Sequence, residues 1–475
     1  MKAPRFLLHL ALVTSAAVPA FSVGNAAEAP KPDDTWLRDS LPQTWQMTPQ
    51  TMQTLPTDDQ WWKTFDDPLL DNLITKAVEN NYNVAAALKR IEMARQELNA
   101  ARSGYFPTIG LNGGWTKQQE AGAMNSPVVP SHATSYFSLG AQMNWEIDVF
   151  GRIREQAKAK KAAIDVSRAD YDAVMVSLAA NVATAYMELR TAQKELAVAK
   201  AHIASQQTIE NMTEARFEAQ LADMLDVTNA KIVLYNTQSS IPGLETQIKT
   251  LINTISILVG VYPQELATEL SAPGKMPEFK HTVAAGVPAD LLRRRPDIVE
   301  AEMTLGEYAA MVGVAKKDFL PTLSITGSIG TYAHKFDDLF GDHSLSYSIA
   351  PQLSWTLFDG LARNYRTNEA KLQMEAAIDS YNLTVMNAVE EVDNALAKYD
   401  SALQSVELQK KVVAESEKSL KLSVDLYKSG LTDFVNVVNA QTSWLESQNS
   451  LVSLEGDALT ALVSIYQALG GGWSN

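Results

Sequence analysis

Three carboxylates stand beside the breaks in the long helical stretches of this chain: Asp223, Asp226 and Asp433. A carboxylate just before a helix can accept from the free N–H groups of its first turn. Brought together by copies of the chain, the same groups could form an acidic ring that gates or selects cations. Both readings stand at this point. Arg293, Arg294 and Arg295, just ahead of Pro296, could hold an anion or form a solvated, salt-bridged cluster. No catalytic constellation accompanies them. Gly470-Gly471-Gly472 lacks the context of a phosphate loop, and no nucleophile elbow or metal motif appears. With no cysteine in the chain, thiol catalysis, disulfides and cysteine metal sites are excluded. The six histidines (His9, His132, His202, His281, His334 and His343) show no ligand-type spacing, while carboxylate sites stay open. The expectation is a protein that is not an enzyme and needs no cofactor or metal.

A formal net charge of -15 argues against nucleic acid as a partner, because phosphate binding wants clustered Lys and Arg. Hydrophobic residues at 46% and charged ones at 20% describe a folded chain. The first 27 residues read as a secretory signal. Lys2 and Arg5 precede an apolar run from Phe6 to Val18, and small residues follow, with cleavage after Ala26 or Ala27. That run is shorter than the ~20 residues a spanning helix needs.

The elements that carry the carboxylates occur twice. At an offset of 210 residues Trp145 faces Trp355, Tyr171 faces Tyr381, Asn229-Ala230 faces Asn439-Ala440, and Gly260 faces Gly470. Upstream the offset is 214, where Asn83 faces Asp297 and Pro107 faces Pro321. A duplicated large unit implies pseudo-symmetry in the assembly. Each half runs helix (68–102, then 296–317), two strands, a very long helix, a short break and a return helix.

The strands alternate with period two. The second places Phe137, Leu139, Ala141, Met143, Trp145 and Ile147 on one face, with Tyr136, Ser138, Gly140, Gln142 and Asn144 on the other. The third and fourth repeat this, and Pro351 marks an expected bulge in the fourth. Their lengths suit membrane strands of ~9–11 tilted residues, and aromatics cluster near their ends. A soluble sandwich face would alternate equally well. Four strands cannot close a barrel, however, and lipid forbids open edges. A membrane reading therefore requires several copies, and three would supply twelve strands.

From Arg152 to Phe217 there is no Pro or Gly, a rod of ~98 Å at 1.5 Å per residue. Ile164, Tyr171, Leu178, Ala185, Ala192 and Ala199 fall seven apart, and Met175, Val182, Leu189, Leu196 and Ile203 form a second, staggered series. This is coiled-coil spacing. The expected breaks lie around Gln220-Leu221 and Gly430-Leu431. Gly430 suits a left-handed helix end, and Gln220 at the matching place suggests a different turn.

Strand pairs set on duplicated helical hairpins behind a signal peptide resemble the TolC-like outer membrane factor family. Trp61-Trp62-Lys63-Thr64-Phe65-Asp66-Asp67-Pro68 is similar to its N-terminal segment. Leu291-Leu292-Arg293-Arg294-Arg295-Pro296-Asp297-Ile298 resembles the signature of its resistance-nodulation-division efflux branch. Trp145 to Arg152 and Trp355 to Gly360 look like its strand-to-helix turns. The resemblance implies an α+β membrane protein: a homotrimer with a twelve-stranded β-barrel in outer-membrane lipid, continuous with a helical periplasmic tunnel. It also implies a periplasmic adaptor and an inner-membrane pump as partners, with passive export of small toxic compounds. A protein-secretion conduit and a periplasmic hairpin scaffold are the alternatives. On the same basis Asp223, Asp226, Asp433, Val435 and Asn439 are aperture candidates, and Gln220, Leu221, Gly430 and Leu431 are adaptor-docking tips. Unlike many members of that branch, this chain has no cysteine to carry lipid. Asn439 also stands where related apertures carry an acidic residue, which weakens an acidic ring at that level.

The expected layout is a signal (1–27), an N-terminal segment (28–66), a first repeat (67–262), a linker (263–290), a second repeat (291–470) and a tail (471–475). Within the repeats, strands are expected at 105–117, 135–148, 320–332 and 345–358. Helices are expected at 152–217, 223–260, 362–428 and 433–469.

Overall fold

The computed structural model describes residues 60–119, 133–278 and 294–471, with isolated positions at 42–53 and 283–288. The expected signal segment and residues Leu291, Leu292 and Arg293 lie outside the described residues. A short 3-10 turn, Trp61–Phe65, leads into α1 (Pro68–Asn80) and α2 (Tyr82–Ser103). Strands β1 (Thr108–Gln118) and β2 (Thr134–Ile147) follow. Next come the 67-residue α3 (Arg152–Glu218), the return helix α4 (Met224–Val259) and the short α5 (Pro263–Ser271). The second repeat comprises α6 (Pro296–Lys317), β3 (Thr322–Ala333), β4 (Leu345–Ser354), the 67-residue α7 (Ala362–Lys428) and α8 (Phe434–Ala468). Among the described residues no helix is long and apolar enough to cross a membrane.

The single helix expected over 68–102 is two helices. Asn81 is extended, with φ -68° and ψ 128°, and its side-chain oxygen accepts from the N–H groups of Asn83 (2.8 Å) and Val84 (3.4 Å). An Asn that caps its own successors competes with helix continuation, so the chain breaks there. Asp67 caps α1 in the same way, accepting from Leu69 N and Leu70 N ahead of the favourable Pro68.

Two interactions repeat across the duplication. Asn81 Nδ2 donates to Leu258 O at 2.8 Å, and Arg295 Nη1 donates to Ala468 O at 2.8 Å. The indole of Trp145 donates to Tyr105 O at 2.9 Å, and that of Trp355 to Phe319 O at 3.0 Å. Each pair joins matching positions of the two halves. Arg295 does more than Asn81, since its guanidinium also meets Asp297 (2.7 Å) and Glu391 on α7 (2.8 Å).

The largest apolar cluster surrounds the middle of the molecule, where α1, α3, α4, α7 and α8 meet. The coiled-coil positions Val182, Leu189, Ala192, Ala388 and Val392 are fully buried there. Trp61 stacks on Tyr466 with centroids 5.1 Å apart, and Tyr186 Oη donates to Asp67 at 2.6 Å, so the N-terminal segment is pinned to this belt. A second cluster, Ile209, Ala230, Leu420, Tyr427, Phe434 and Val437, closes the hairpin tips.

Candidate channel lining and helical tips

The four strands form one antiparallel sheet in the order β1-β2-β3-β4. Register decides which side chains share a face. Ser138 lies opposite both Gly114 and Tyr332, Gln142 opposite Gly110 and Ser328, and Ser328 opposite Ser348. One face therefore carries mostly Thr, Ser, Asn, Gln and Gly, with Tyr136, Glu146, Tyr332 and Ala350 among them. The other carries Ile109, Leu111, Trp115, Leu139, Met143, Ile325, Ile349 and Leu353. On that face Leu111, Ile349 and Tyr347 are 78%, 75% and 77% exposed. Side chains of that size give up about 1.5–3 kcal/mol each when left in water. Such a face belongs against lipid, and its polar counterpart suits a wet lumen.

Expected strand limits shift where the chain leaves the sheet. The strand expected at 105–117 runs from Thr108, since Tyr105 and Phe106 still close the end of α2 through bonds to Arg102 O and Ser103 O. The strand expected at 345–358 ends at Ser354, where Trp355 turns to bond Phe319 O. No bulge forms at Pro351, which pairs in regular register with Ile325. β4 is an edge of this sheet, where a residue without an N–H is tolerated. Beyond the sheet, Asp148 accepts from Ile153 N (3.0 Å) and Arg154 N (2.9 Å), and Asp359 accepts from Arg363 N (3.1 Å). Gly151 and Gly360, at φ 80° and 69°, make the sharp strand-to-helix corners.

At the far ends of the rods the two tips share one backbone. Gln220 and Gly430 have φ of 57° and 69°. Leu221 N bonds Arg216 O at 2.8 Å, and Leu431 N bonds Leu426 O at 2.9 Å. Both are left-handed helix ends with matching six-residue closures. The different turn expected from Gln220 does not occur. Gln220 adopts the glycine conformation because the same closing bonds are available to it. Leu221 and Leu431 project into solvent, 66% and 74% exposed.

Asp223 caps α4, accepting from Asp226 N at 3.0 Å. Asp226, in the first turn, accepts instead from Tyr427 Oη at 2.8 Å, which ties the first hairpin to the second. Arg216 completes the tie. Its Nη1 donates to Lys428 O at 2.9 Å and its guanidinium lies 4.9 Å from the Tyr427 ring centroid. Burial pushes the Tyr427 hydroxyl up to about 12, reinforced by Asp226, so it stays a donor across ordinary pH. Asp433 precedes α8 without a side-chain capping bond, although the sequence allowed one. Val435 and Asn439 are exposed, and Asn439 lines a groove of about 450 Å³ between α7 and α8 with Ser416, Ser423 and Asn436. Of the five aperture candidates only Asp226 takes part in the Arg216–Tyr427–Asp226 tie. Arg216 and Tyr427 were not singled out from the sequence. The available signal was a departure from repetition, since the positions that match them across the duplication are Leu426 and Phe217.

The profile described as "Outer membrane efflux protein" matches residues 73–261 and 287–471, one segment in each half of the chain. A solvent efflux pump outer membrane protein of Pseudomonas putida is 30% identical, over 86% of this chain and 87% of that one. Outer membrane protein OprJ of Pseudomonas aeruginosa is 28% identical, over 97% and 95%. Among solved structures, the outer-membrane channel OprN superposes with a TM-score of 0.82 at 29% identity, covering 91% of this chain and 98% of that one. The open-state MtrE channel of Neisseria gonorrhoeae shares the fold, with a TM-score of 0.76 at 24% identity. The chain belongs to the outer membrane efflux protein family and is an outer-membrane channel that extends into the periplasm.

Proposed function

We propose that three copies of this chain close a twelve-stranded barrel in the outer membrane and carry small toxic compounds outward, delivered by an inner-membrane pump through a periplasmic adaptor. One observation carries the reading. β1 and β4 are both unpaired edges of a sheet with a lipid-type face, and only pairing β4 of one copy with β1 of the next removes every edge. Pseudo-sixfold symmetry from two repeats in three copies agrees with this closure. In this reading the energy comes from the pump, and the channel supplies a passage with a hydroxyl- and amide-rich wall. The hairpin tips bearing Gln220, Leu221, Gly430 and Leu431 meet the adaptor. Asp223, Asp226, Asp433, Val435 and Asn439 surround the periplasmic aperture. The segmental layout of two repeats around a linker at 263–290 belongs to the same proposal.

Light scattering of the detergent-solubilised protein tests the assembly, and a mass of one or two copies refutes it. Deleting the gene tests the export role. Intracellular accumulation of a fluorescent pump substrate should rise and return to normal on complementation. Unchanged accumulation with intact trimers would demote small-molecule efflux while leaving the channel.

A further inference from the structure

The polar face of the sheet is built almost entirely from short side chains, with two exceptions at one end. Tyr136 on β2 and Tyr332 on β3 are its only aromatic residues among those described. Both lie at the end of the strands farthest from α3 and α7, which in an outer-membrane channel is the extracellular mouth. Register places Tyr332 opposite Ser138, two positions from Tyr136 on the same face of β2. Their ring centroids are 6.2 Å apart with planes inclined at 51°.

Their surroundings leave the rings available. The next layer inward on this face is Gly140 opposite Gly330, where the backbones approach so closely that a Cβ on Gly330 would lie 2.8 Å from Gly140 Cα. Neither Gly140 nor Gly330 sends a side chain toward the tyrosines; Tyr332 is 52% exposed and Tyr136 half-buried. No Lys or Arg lies on the polar face of the four strands. Its single charged residue, Glu146, stands at the opposite end, paired with Arg152 at 2.9 Å. Among the described residues no Lys or Arg lies over either phenol ring.

An aromatic face attracts organic cations through its quadrupole and offers aromatic molecules a stacking surface. We propose that Tyr136 and Tyr332 form an aromatic collar at the extracellular mouth and act as an exit subsite for aromatic organic cations. The proposal rests on the trimeric channel reading, in which three copies contribute six rings around one lumen. The collar is a weak, exchangeable site. It binds enough to select and too little to retain, as conduction requires.

Currents through the purified channel in planar bilayers test this, with ethidium as the aromatic cation and tetraethylammonium as a non-aromatic cation of equal charge. Ethidium should block the unaltered channel at lower concentration than tetraethylammonium. In the Tyr136→Leu/Tyr332→Leu variant, which keeps apolar bulk, the ethidium blocking constant should weaken about five- to tenfold while tetraethylammonium is unaffected. Tyr136→Phe/Tyr332→Phe should block like the unaltered channel, which separates ring faces from hydroxyls. Equal ethidium block in the unaltered and Leu channels would overturn the collar and leave the channel reading standing. An unaltered protein that does not form trimers would overturn the trimeric reading, and the collar with it.

Discussion

Cutting the tie between the two hairpins should open the periplasmic end. Tyr427 Oη donates to Asp226 at 2.8 Å, and Arg216 reaches Lys428 O at 2.9 Å while lying over the Tyr427 ring. A hydrogen bond to a charged acceptor contributes about 1.5–3 kcal/mol, and the part-exposed Asp226 recovers some of that from water. The cation–π contact, between the half-buried Arg216 and the buried Tyr427 ring, adds about 1 kcal/mol. Tyr427→Phe with Arg216→Ala should therefore cost the closed tip about 1.5–2.5 kcal/mol per copy. If three copies open together, even ~1.4 kcal/mol each shifts the equilibrium about a thousandfold. Single-channel recording in planar bilayers should show a larger or longer open conductance. Trimer mass and melting temperature serve as controls, because the second tip cluster keeps Phe434, Val437 and Leu420 in place. Unchanged conductance in an intact trimer would refute the tie as a closure. Because the Tyr427 hydroxyl titrates at about 12, the unaltered channel's tie should not respond between about pH 5 and 9 through this group.

Gln220→Gly should stabilise the chain by about 0.5–1 kcal/mol, because a non-glycine residue at φ 57° carries backbone strain that glycine lacks; a lower melting temperature would contradict this. Gly330→Ala should cost about 1–3 kcal/mol, since the new methyl would meet Gly140 Cα and Leu139 O at 2.8 Å. It should reduce the fraction of heat-modifiable trimer on gels, and an unchanged fraction would argue against a close β2–β3 approach. Burial pushes the Asp172 carboxyl from 3.8 to about 6. Between those values the folded chain holds a proton that the unfolded chain has released, so this group's contribution falls as pH rises through the window. Asp172→Asn should remove that slope and raise the melting temperature more at pH 8 than at pH 4, and an equal change at both would show that the carboxyl is not desolvated.

Local periodicity made much of the architecture legible in advance. A strand shows its two faces through alternation, and a rod shows its seam through heptads, because both patterns need only neighbours along the chain. The duplication was visible at Trp145 and Trp355 and at Gly260 and Gly470, because the same local task was retained twice. A strand number too small to close adds the demand for further copies from the sequence alone. What escaped depended on segments far apart in the chain. Asn81 breaks a helix whose apolar spacing runs on, and its amide also meets Leu258 O, 177 residues away. Gln220 takes the turn written for glycine because the closing bonds outweigh its backbone cost. Tyr427 and Asp226 meet across 201 residues, and Tyr136 meets Tyr332 only through the pairing of β2 with β3. Sequence spacing says which side of an element a residue occupies. Which two elements bring their sides together is set by packing and register, and that is where the tie at the tips and the aromatic pair at the mouth were decided.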